Sequence, residues 1–207
     1  MFFKRILCAV LALICVALCF FSLSSCAEEN EETVPQKQDI LKLELEEIKS
    51  YVEIGEYKGL DISVGEQSRD AAVWSAVKKN FATKKLPQRQ VEYYKYQLNA
   101  EYSYYAQLDG KTESEIEAML ESSVDDILAE AKELTKSDLV YAAIVKLEGI
   151  SVSESQKESL FDKYVEKYVS VYGYTAEYVK ENMADAIYSS MLYDKTTEFL
   201  LNNNNVK

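Results

Sequence analysis

The stretch LPQRQVEYYKYQLNAEYSYYAQLDG, residues 86–110, decides the class of fold. Its apolar and aromatic side chains recur every three or four residues, which is the spacing of one helix face. These positions are Val91, Tyr94, Leu98, Tyr102, Tyr105 and Leu108. Pro87 suits the first turn of a helix, and Asp109-Gly110 suits its end. The stretch therefore predicts a long amphipathic helix over about residues 87–108.

Apolar spacing of the same kind predicts helices on both sides of this stretch. One of them covers residues 71–82. After the stretch, Thr112 and Glu115 form a Thr-x-x-Glu capping box, which marks the start of a helix. The apolar positions that follow continue, in one helix or a broken one, as far as Gly149.

Two further helices are predicted towards the end of the chain. Ser153 suits the N-cap of the first and Gly173 its C-terminal end, whereas Thr175 suits the N-cap of the second. The apolar positions of the second helix run to about Leu201. Because every gap between helices is short, we expect successive helices to pack as antiparallel neighbours. Residues 65–207 are thus predicted to form one mainly α domain.

Residues 39–64 have a different pattern. Leu41, Leu43 and Leu45 alternate with charged residues, and residues 51–62 mix β-forming side chains with turn glycines. Alternation of this kind is typical of strands. We expect an extended, β-like lead-in segment with a short hairpin, although residues 39–50 fit a helix equally well.

The composition of the chain restricts its chemistry. The 207 residues carry a formal net charge of −12 and include no histidine. Without imidazole, a Ser-His-Asp triad, a Cys-His pair and a His-ligated zinc site are excluded. The acidic balance argues against a nucleic acid partner, whose phosphates need basic side chains. The sequence also contains no glycine-rich phosphate loop.

The acidic residues are predicted to form a solvated face. Glu115 and Glu117, like Asp125 and Asp126, lie close in sequence, but neighbours one or two apart on a helix diverge. Spacing alone therefore brings no pair together on a metal ion or a proton. We predict no catalytic residue, no metal site and no cofactor, and hence a protein that is not an enzyme.

The first 26 residues have the layout of an export signal. Lys4 and Arg5 begin it, an apolar run from Ile6 to about Phe21 follows, and Leu23-Ser24-Ser25-Cys26 ends it. This layout resembles a bacterial lipoprotein signal, which is cleaved before a cysteine whose sulfur receives a diacylglycerol. We expect residues 1–25 to be the signal peptide and Cys26 the site of lipid attachment. An uncleaved membrane anchor is the alternative.

Residues 26–38 are acidic and polar and lack periodicity, so they predict a flexible tether. The chain contains four cysteines, and the three besides Cys26 lie inside the predicted signal peptide. The processed chain would therefore have no disulfide. We expect it at the extracytoplasmic face of the bacterial cell membrane, anchored there by its lipid.

Two stretches resemble a known family. Tyr51–Leu60 (YVEIGEYKGL) resembles the lead-in of trigger-factor-like lipoproteins. The stretch from Leu86-Pro87 to about Leu201 resembles the C-terminal chaperone domain of trigger factor, with the corner Lys146–Ser153 and the pair Tyr172-Gly173 among its landmarks. The resemblance implies helical arms with a concave surface between them.

The resemblance also shows what this chain lacks. In trigger-factor-like proteins an FKBP-type prolyl isomerase domain is inserted between the lead-in and the helical arms. Such a domain needs on the order of 100 residues, and Ile62 is followed within a few residues by the first predicted helix. We expect no ribosome-docking domain either. What remains resembles the client-holding part alone.

Six tyrosines crowd the predicted helix over residues 87–108: Tyr93, Tyr94, Tyr96, Tyr102, Tyr104 and Tyr105. Tyr94, Tyr102 and Tyr105 follow the apolar face, and we expect them to pack between helices with their hydroxyls at the rim. Tyr93, Tyr96 and Tyr104 are predicted to point away from that face. Tyrosine gives broad apolar contact with a polar tip at low entropic cost. All six are therefore candidate contacts for unfolded polypeptide.

These observations together predict a lipid-anchored chaperone of the holdase kind. Its partners would be unfolded or newly exported polypeptides, with the membrane reached through the N-terminal lipid and no nucleic acid involved. One alternative is a structural or adaptor lipoprotein that uses the same surface for one specific partner. Another is a degenerate member of a prolyl isomerase family.

Overall fold

The computed structural model describes residues 34–207. The predicted signal peptide, Cys26 and residues 26–33 of the predicted tether lie outside the described residues. Eight α-helices and four strands of two residues each lie in the described part, so the prediction of a mainly α fold is confirmed. No helix in this part of the chain combines the length and the apolar character needed to cross a membrane.

The elements follow one another in this order. A 3-10 helix covers Ile40–Lys42. The α-helices are α1 Leu45–Tyr51, α2 Arg69–Asn80, α3 Gln88–Leu108, α4 Glu113–Ser122, α5 Val124–Leu147, α6 Glu154–Tyr172, α7 Ala176–Asn182 and α8 Ala184–Asn202. The strands are β1 Val52–Glu53, β2 Asp61–Ile62, β3 Ala82–Thr83 and β4 Asn205–Val206.

The helix starts predicted from capping residues are confirmed. Thr112 and Glu115 form a complete capping box at the start of α4, because the Glu115 N–H donates to Thr112 Oγ1 and the Thr112 N–H donates to Glu115 Oε2. Ser153 forms a second box with Gln156 at the start of α6. Thr175 accepts from an N–H of the first turn of α7. These contacts are local, which is why the sequence alone indicates them.

The last predicted helix is in fact two helices. α7 and α8 meet at Met183, whose backbone is not helical, with φ −122° and ψ 14°. Val179, Met183 and Ile187 are all buried, at 0%, 1% and 0% exposure. Because this apolar spacing continues through the break, periodicity does not reveal it. The predicted segment after Thr112 is also broken, between α4 and α5.

Residues 34–42 and 85–138 form one compact unit, called unit one. It contains α3, α4 and the part of α5 up to Asp138. Its core is a cluster of five buried side chains on α3 and α5: Val91, Tyr94, Leu98, Ile127 and Ala131. Half-buried apolar residues pack around the cluster, among them Leu86 and Leu120. The apolar face predicted for residues 87–108 thus packs on α5 at Val91, Tyr94 and Leu98.

The end of the predicted tether is attached to unit one. The Gln38 N–H donates to Gln90 Oε1 at 2.9 Å, and Arg89 Nε donates to the Gln36 carbonyl at 3.1 Å. Gln90 is itself fully buried on α3. The expectation of a flexible tether through residue 38 is therefore corrected at its end. Composition does not indicate these bonds, because they join backbone groups of a polar segment to side chains more than 50 positions away in the sequence.

Residues 43–84 and 139–207 form the second compact unit, called unit two. It contains α1, α2, the rest of α5, and α6 to α8. Large side chains fully buried in it are Ile48, Val52, Phe81, Leu139, Ile144, Met183, Ile187 and Leu200. α2 packs on α8, where Trp74 Nε1 donates to Thr197 Oγ1 at 2.8 Å and the Trp74 ring stacks on Tyr193 at 5.4 Å.

The strands of the lead-in pair with distant partners, so the expected hairpin is wrong. β1 pairs antiparallel with β3, with Val52 opposite Thr83. β2 pairs parallel with β4, with Asp61 opposite Asn205. The residues before β1 are helical as α1, so the helical alternative for residues 39–50 holds within Leu45–Tyr51. Strands do form at Val52–Glu53 and Asp61–Ile62, but the extended structure expected from the alternation of Leu41, Leu43 and Leu45 is wrong, and alternation cannot name the partner strand.

The lead-in stretch YVEIGEYKGL, residues 51–60, packs closely on other parts of unit two and forms hydrogen bonds with them. An ideal Cβ on Gly55 would lie only 1.9 Å from the Asn80 carbonyl oxygen, so a side chain does not fit there. The Tyr57 hydroxyl donates to Glu148 Oε1 at 2.5 Å, and Lys58 Nζ donates to the same oxygen at 2.9 Å. These bonds join the lead-in stretch to the corner Lys146–Ser153.

Candidate functional site

The six tyrosines of α3 lie in different environments. Tyr94 is buried, with 8% of its surface exposed, whereas Tyr104 and Tyr105 are 51% and 50% exposed. The remaining three, Tyr93, Tyr96 and Tyr102, are half-buried. Only Tyr104 and Tyr105 therefore offer a large part of their rings to a partner.

Tyr94 belongs to a polar cluster inside unit one. Its hydroxyl and Gln90 Nε2 both donate to Asp138 Oδ2, each at 2.7 Å. Burial raises the pKa of the Asp138 carboxyl, against the opposing effects of Lys37 and the two hydrogen bonds. Burial and Asp138 together raise the pKa of Tyr94 well above its usual value. Tyr94 was a candidate contact for polypeptide, and its burial corrects that: its ring and hydroxyl are engaged within the fold.

Tyr102 and Tyr93 pack against the core cluster of unit one. The Tyr102 hydroxyl donates to Glu130 Oε2 at 2.9 Å, and burial with this bond raises the pKa of Tyr102 to about 12. The Tyr93 ring lies edge-on to Tyr94, with centroids 5.4 Å apart. Tyr93 was expected to point away from the apolar face, but its half-buried ring packs against the cluster.

Tyr104, Tyr105 and Leu108 form what we call the exposed stripe, at the C-terminal end of α3. The two tyrosine rings meet edge to face with centroids 5.6 Å apart, and Leu108 is 65% exposed. Leu108 lies three and four residues after them, so all three side chains share one helix face. Tyr105 was expected between helices, and this is a correction. Ala106, 4% exposed, is buried at this end of α3 instead.

The chain segments on both sides of the exposed stripe in the sequence are strongly acidic. Residues 99–126 contain eight acidic residues and one basic residue, Lys111. Glu101 is partly buried, and burial with the nearby Glu130 charge raises its pKa. Within residues 34–207, no three His, Cys, Asp or Glu side chains are grouped so that they could hold a metal ion. The exposed stripe is thus an apolar, aromatic strip in a negative field, which attracts cationic segments.

Unit two contains a second group of accessible tyrosines that the sequence reasoning missed. Tyr172 and Tyr174 are half-buried and Tyr178 is 38% exposed, at the corner between α6 and α7. A signal was present in the sequence: residues 168–176 (YVSVYGYTA) contain three tyrosines and no charged side chain, in a chain of net charge −12.

Comparison with known proteins identifies one family. The family model described as bacterial trigger factor protein (TF) C-terminus matches residues 44–202. The match includes both the lead-in stretch and the helices from Leu86 onward. Among curated proteins and among solved structures, none matches the chain significantly.

Proposed function

The chain belongs to the family of the bacterial trigger factor C-terminus, and from this premise we propose that it is a holdase, which binds unfolded polypeptide segments and keeps them from aggregating. Membership of the family points to a chaperone-like role. The matched part of trigger factor is its chaperone module and not its prolyl isomerase domain. The mechanism we propose is therefore passive: binding and release, with no bond made or broken.

The exposed stripe is the observation that carries the proposal. Tyr104, Tyr105 and Leu108 present wide apolar contact to solvent, while the tyrosine hydroxyls keep the empty surface soluble. Few rotatable bonds are frozen when such rings bind, so different clients can be bound at modest entropic cost. The acidic surroundings favour clients whose apolar segments are flanked by basic residues. Binding to each segment would be weak, as promiscuous binding requires adaptable contacts.

Lipid anchoring at Cys26 and an extracytoplasmic location are part of the proposal. The charge, apolar length and cysteine position of residues 1–26 support them. An anchor of this kind would concentrate the holdase where newly exported chains leave the membrane. Expression of the full chain and of Cys26→Ser with a labelled fatty acid tests it. We expect label on the native chain only; equal labelling of both chains would contradict the lipid site.

An aggregation assay tests the holdase function. Processed protein, residues 26–207, is added in several-fold excess to a refolding, aggregation-prone client while light scattering is recorded. We expect the native protein to suppress scattering and Tyr104→Ser/Tyr105→Ser to suppress it less. Leu160→Ser, which removes a leucine 36% exposed on α6, is the matched control and should behave like the native protein. No suppression by the native protein would remove the holdase proposal.

The same preparation separates a holdase from an adaptor. Crosslinking in membranes followed by identification of the attached chains should give a heterogeneous set of exported polypeptides. Recovery of one stoichiometric protein would favour the adaptor reading. Because the exposed stripe supplies the contact in both cases, the Tyr104→Ser/Tyr105→Ser variant should lose the crosslinks in either outcome.

A further inference from the structure

Positive charge is concentrated at the end of unit one where α3 begins. Residues 34–42 and 85–91 contain four basic residues and one acidic residue, in a chain whose net charge is −12. Because the sign of this local charge is opposite to that of the chain as a whole, its partner should be anionic. We call the four basic residues, all of them exposed, the basic end: Lys37, Lys42, Lys85 and Arg89.

The acidic side chains near the basic end are engaged within unit one. Asp39 Oδ2 lies 3.1 Å from Lys42 Nζ, and the Lys42 side chain remains 83% exposed. Glu92, on the second turn of α3, pairs with Lys95 at 3.2 Å. Asp138, on α5, is half-buried and accepts two hydrogen bonds inside unit one. The exposed charge of the basic end therefore remains positive.

The basic end is also where the chain arrives from the predicted lipid site. The Gln38 N–H donates to Gln90 Oε1 at 2.9 Å and Arg89 Nε donates to the Gln36 carbonyl at 3.1 Å, so the arriving segment is fixed beside α3. Cys26 precedes Gln36 by ten residues. A flexible stretch of that length spans roughly 18 Å. A lipid on Cys26 would therefore keep the basic end within a short reach of the membrane.

The segment that follows the other end of α3 has the opposite charge. Residues 109–126 contain seven acidic residues, all of them exposed, and one basic residue, Lys111. Because α3 has 21 residues, its two ends lie about 30 Å apart. That is about three times the distance over which 0.1 M salt screens a charge. An anionic surface would thus attract the basic end and repel residues 109–126.

We propose that the basic end is a membrane-contact surface, which binds anionic lipid headgroups and orients unit one with residues 109–126 away from the bilayer. Lysine and arginine are attracted to an anionic bilayer, and the attraction falls off within about 10 Å. The four glutamates of residues 27–33 oppose this attraction, so the lipid holds the chain and the basic end orients it. The exposed stripe would then face the aqueous side. This inference rests on the proposed lipid anchoring and deepens it.

Lysine labelling on vesicles tests the contact. Processed protein, residues 26–207, contains one cysteine, Cys26. Its thiol is coupled to a maleimide lipid, so that the test does not depend on acylation in the cell. One set of vesicles is phosphatidylcholine, and the other is an equal mixture of phosphatidylcholine and phosphatidylglycerol. An amine-reactive acetylating reagent is added, and mass spectrometry measures the labelling of each lysine.

The basic end should be protected on the anionic vesicles. We expect Lys37, Lys42 and Lys85 to be labelled about threefold less on the mixed vesicles than on phosphatidylcholine. Lys111 should be labelled equally on both. Salt at about 0.5 M should abolish the protection, because the contact is electrostatic.

Charge reversal provides a matched pair of variants. Lys37→Glu should reduce the protection of Lys42 and Lys85, because it removes positive charge from the basic end. Lys111→Glu makes the same change of charge at an exposed lysine beyond the other end of α3, and should leave the protection at the native level.

Equal labelling of the basic end on both kinds of vesicle would overturn the inference, as would equal protection of Lys111. The coupled chain also separates this inference from the proposed lipid anchoring. Acylation of Cys26 in the cell without protection of the basic end overturns the inference only. Protection in the coupled chain without acylation in the cell overturns the lipid anchoring and supports the contact of the basic end with anionic lipid.

Discussion

The Tyr94 hydroxyl donates a 2.7 Å hydrogen bond to Asp138 Oδ2. A tyrosine of the core cluster on α3 thus binds a carboxylate on α5. Gln90 Nε2 donates to the same oxygen, and Gln90 Oε1 accepts from the Gln38 backbone N–H. A chain of polar contacts therefore connects residue 38, α3 and α5 in unit one. Removing one member would leave the others buried without a partner, which is costly.

Asp138 provides the first prediction. Asp138→Ala leaves the Tyr94 hydroxyl and the Gln90 amide without an acceptor, and should lower the free energy of unfolding by about 2 kcal/mol. Asp138→Asn keeps an acceptor oxygen and removes a half-buried charge, so at neutral pH it should be at least as stable as the native chain. Urea unfolding followed by circular dichroism measures both.

The matched control for Asp138 is Asp125→Asn, an exposed aspartate on the same helix, with an expected change within about 0.5 kcal/mol. Because the folded-state pKa of Asp138 is raised, protonation stabilises the folded chain, and this contribution is lost as pH rises through that pKa. The native chain and Asp138→Asn should therefore converge in stability at acid pH. Native stability in Asp138→Ala would show that the contacts are not formed.

Glu148 makes the stability of unit two depend on pH. Hydrogen bonds from Tyr57 and Lys58 lower the pKa of Glu148, so its contribution is present above its unfolded pKa of about 4.3 and lost as pH falls through the folded value. Burial and the bond to Glu148 raise the pKa of Tyr57 to about 12, so its contribution is fully present below the unfolded pKa of about 10 and is lost as pH rises through the folded pKa.

Glu148→Gln should therefore unfold more easily than the native chain near neutral pH, by about 1 kcal/mol, and the difference should shrink below about pH 4. Trp74 is the single tryptophan of the chain and lies on α2, so its fluorescence reports on unit two. The exposed Glu56→Gln is the control and should show no such pH dependence. A constant difference across pH would contradict the assigned role of Glu148.

Gly55 should not tolerate a side chain. In Gly55→Ala the new Cβ would lie 1.9 Å from the Asn80 carbonyl oxygen, so the lead-in or the end of α2 must move. We expect a loss of about 3 kcal/mol in the free energy of unfolding, at the upper end for overpacking. Trp74 fluorescence during urea unfolding measures the loss, and the neighbouring exposed Glu56→Ala should change little. An alanine without effect would mean that this close approach is absent.

Two tyrosines of α3 should differ sharply in stability effect. Tyr94→Ser removes a buried ring and should lower the free energy of unfolding by about 3 to 5 kcal/mol. Tyr105→Ser removes a ring that is half exposed, and should change it by about 1 kcal/mol or less. Urea unfolding followed by circular dichroism compares the two. Similar losses in both variants would mean that Tyr105 is packed between helices, as its position in the sequence first indicated.

The candidate site shows how far sequence reasoning reaches. Periodicity correctly placed Val91, Tyr94 and Leu98 on the face that packs against α5, because a helix face is defined by local spacing. The same spacing put Tyr105 on that face, but Ala106 is buried there and Tyr105 is not. How far the packing partner extends along α3 decides which residues of the apolar face are buried. The spacing of residues on α3 holds no information about that partner. The accessible tyrosines at the corner between α6 and α7, Tyr172, Tyr174 and Tyr178, come from two helices and their connection, and they were missed for the same reason.

The sequence by itself determined the mainly α class, the capping boxes at Thr112 and Ser153, and the helix end at Gly173, because these depend on interactions within about four residues. Only the tertiary structure decided that β2 pairs with β4, where Asn205 Nδ2 donates to Asp61 Oδ1 across 144 positions of sequence. It also decided which tyrosines are buried and which reach solvent. Both depend on surfaces brought together from distant parts of the chain, and local pattern does not encode them.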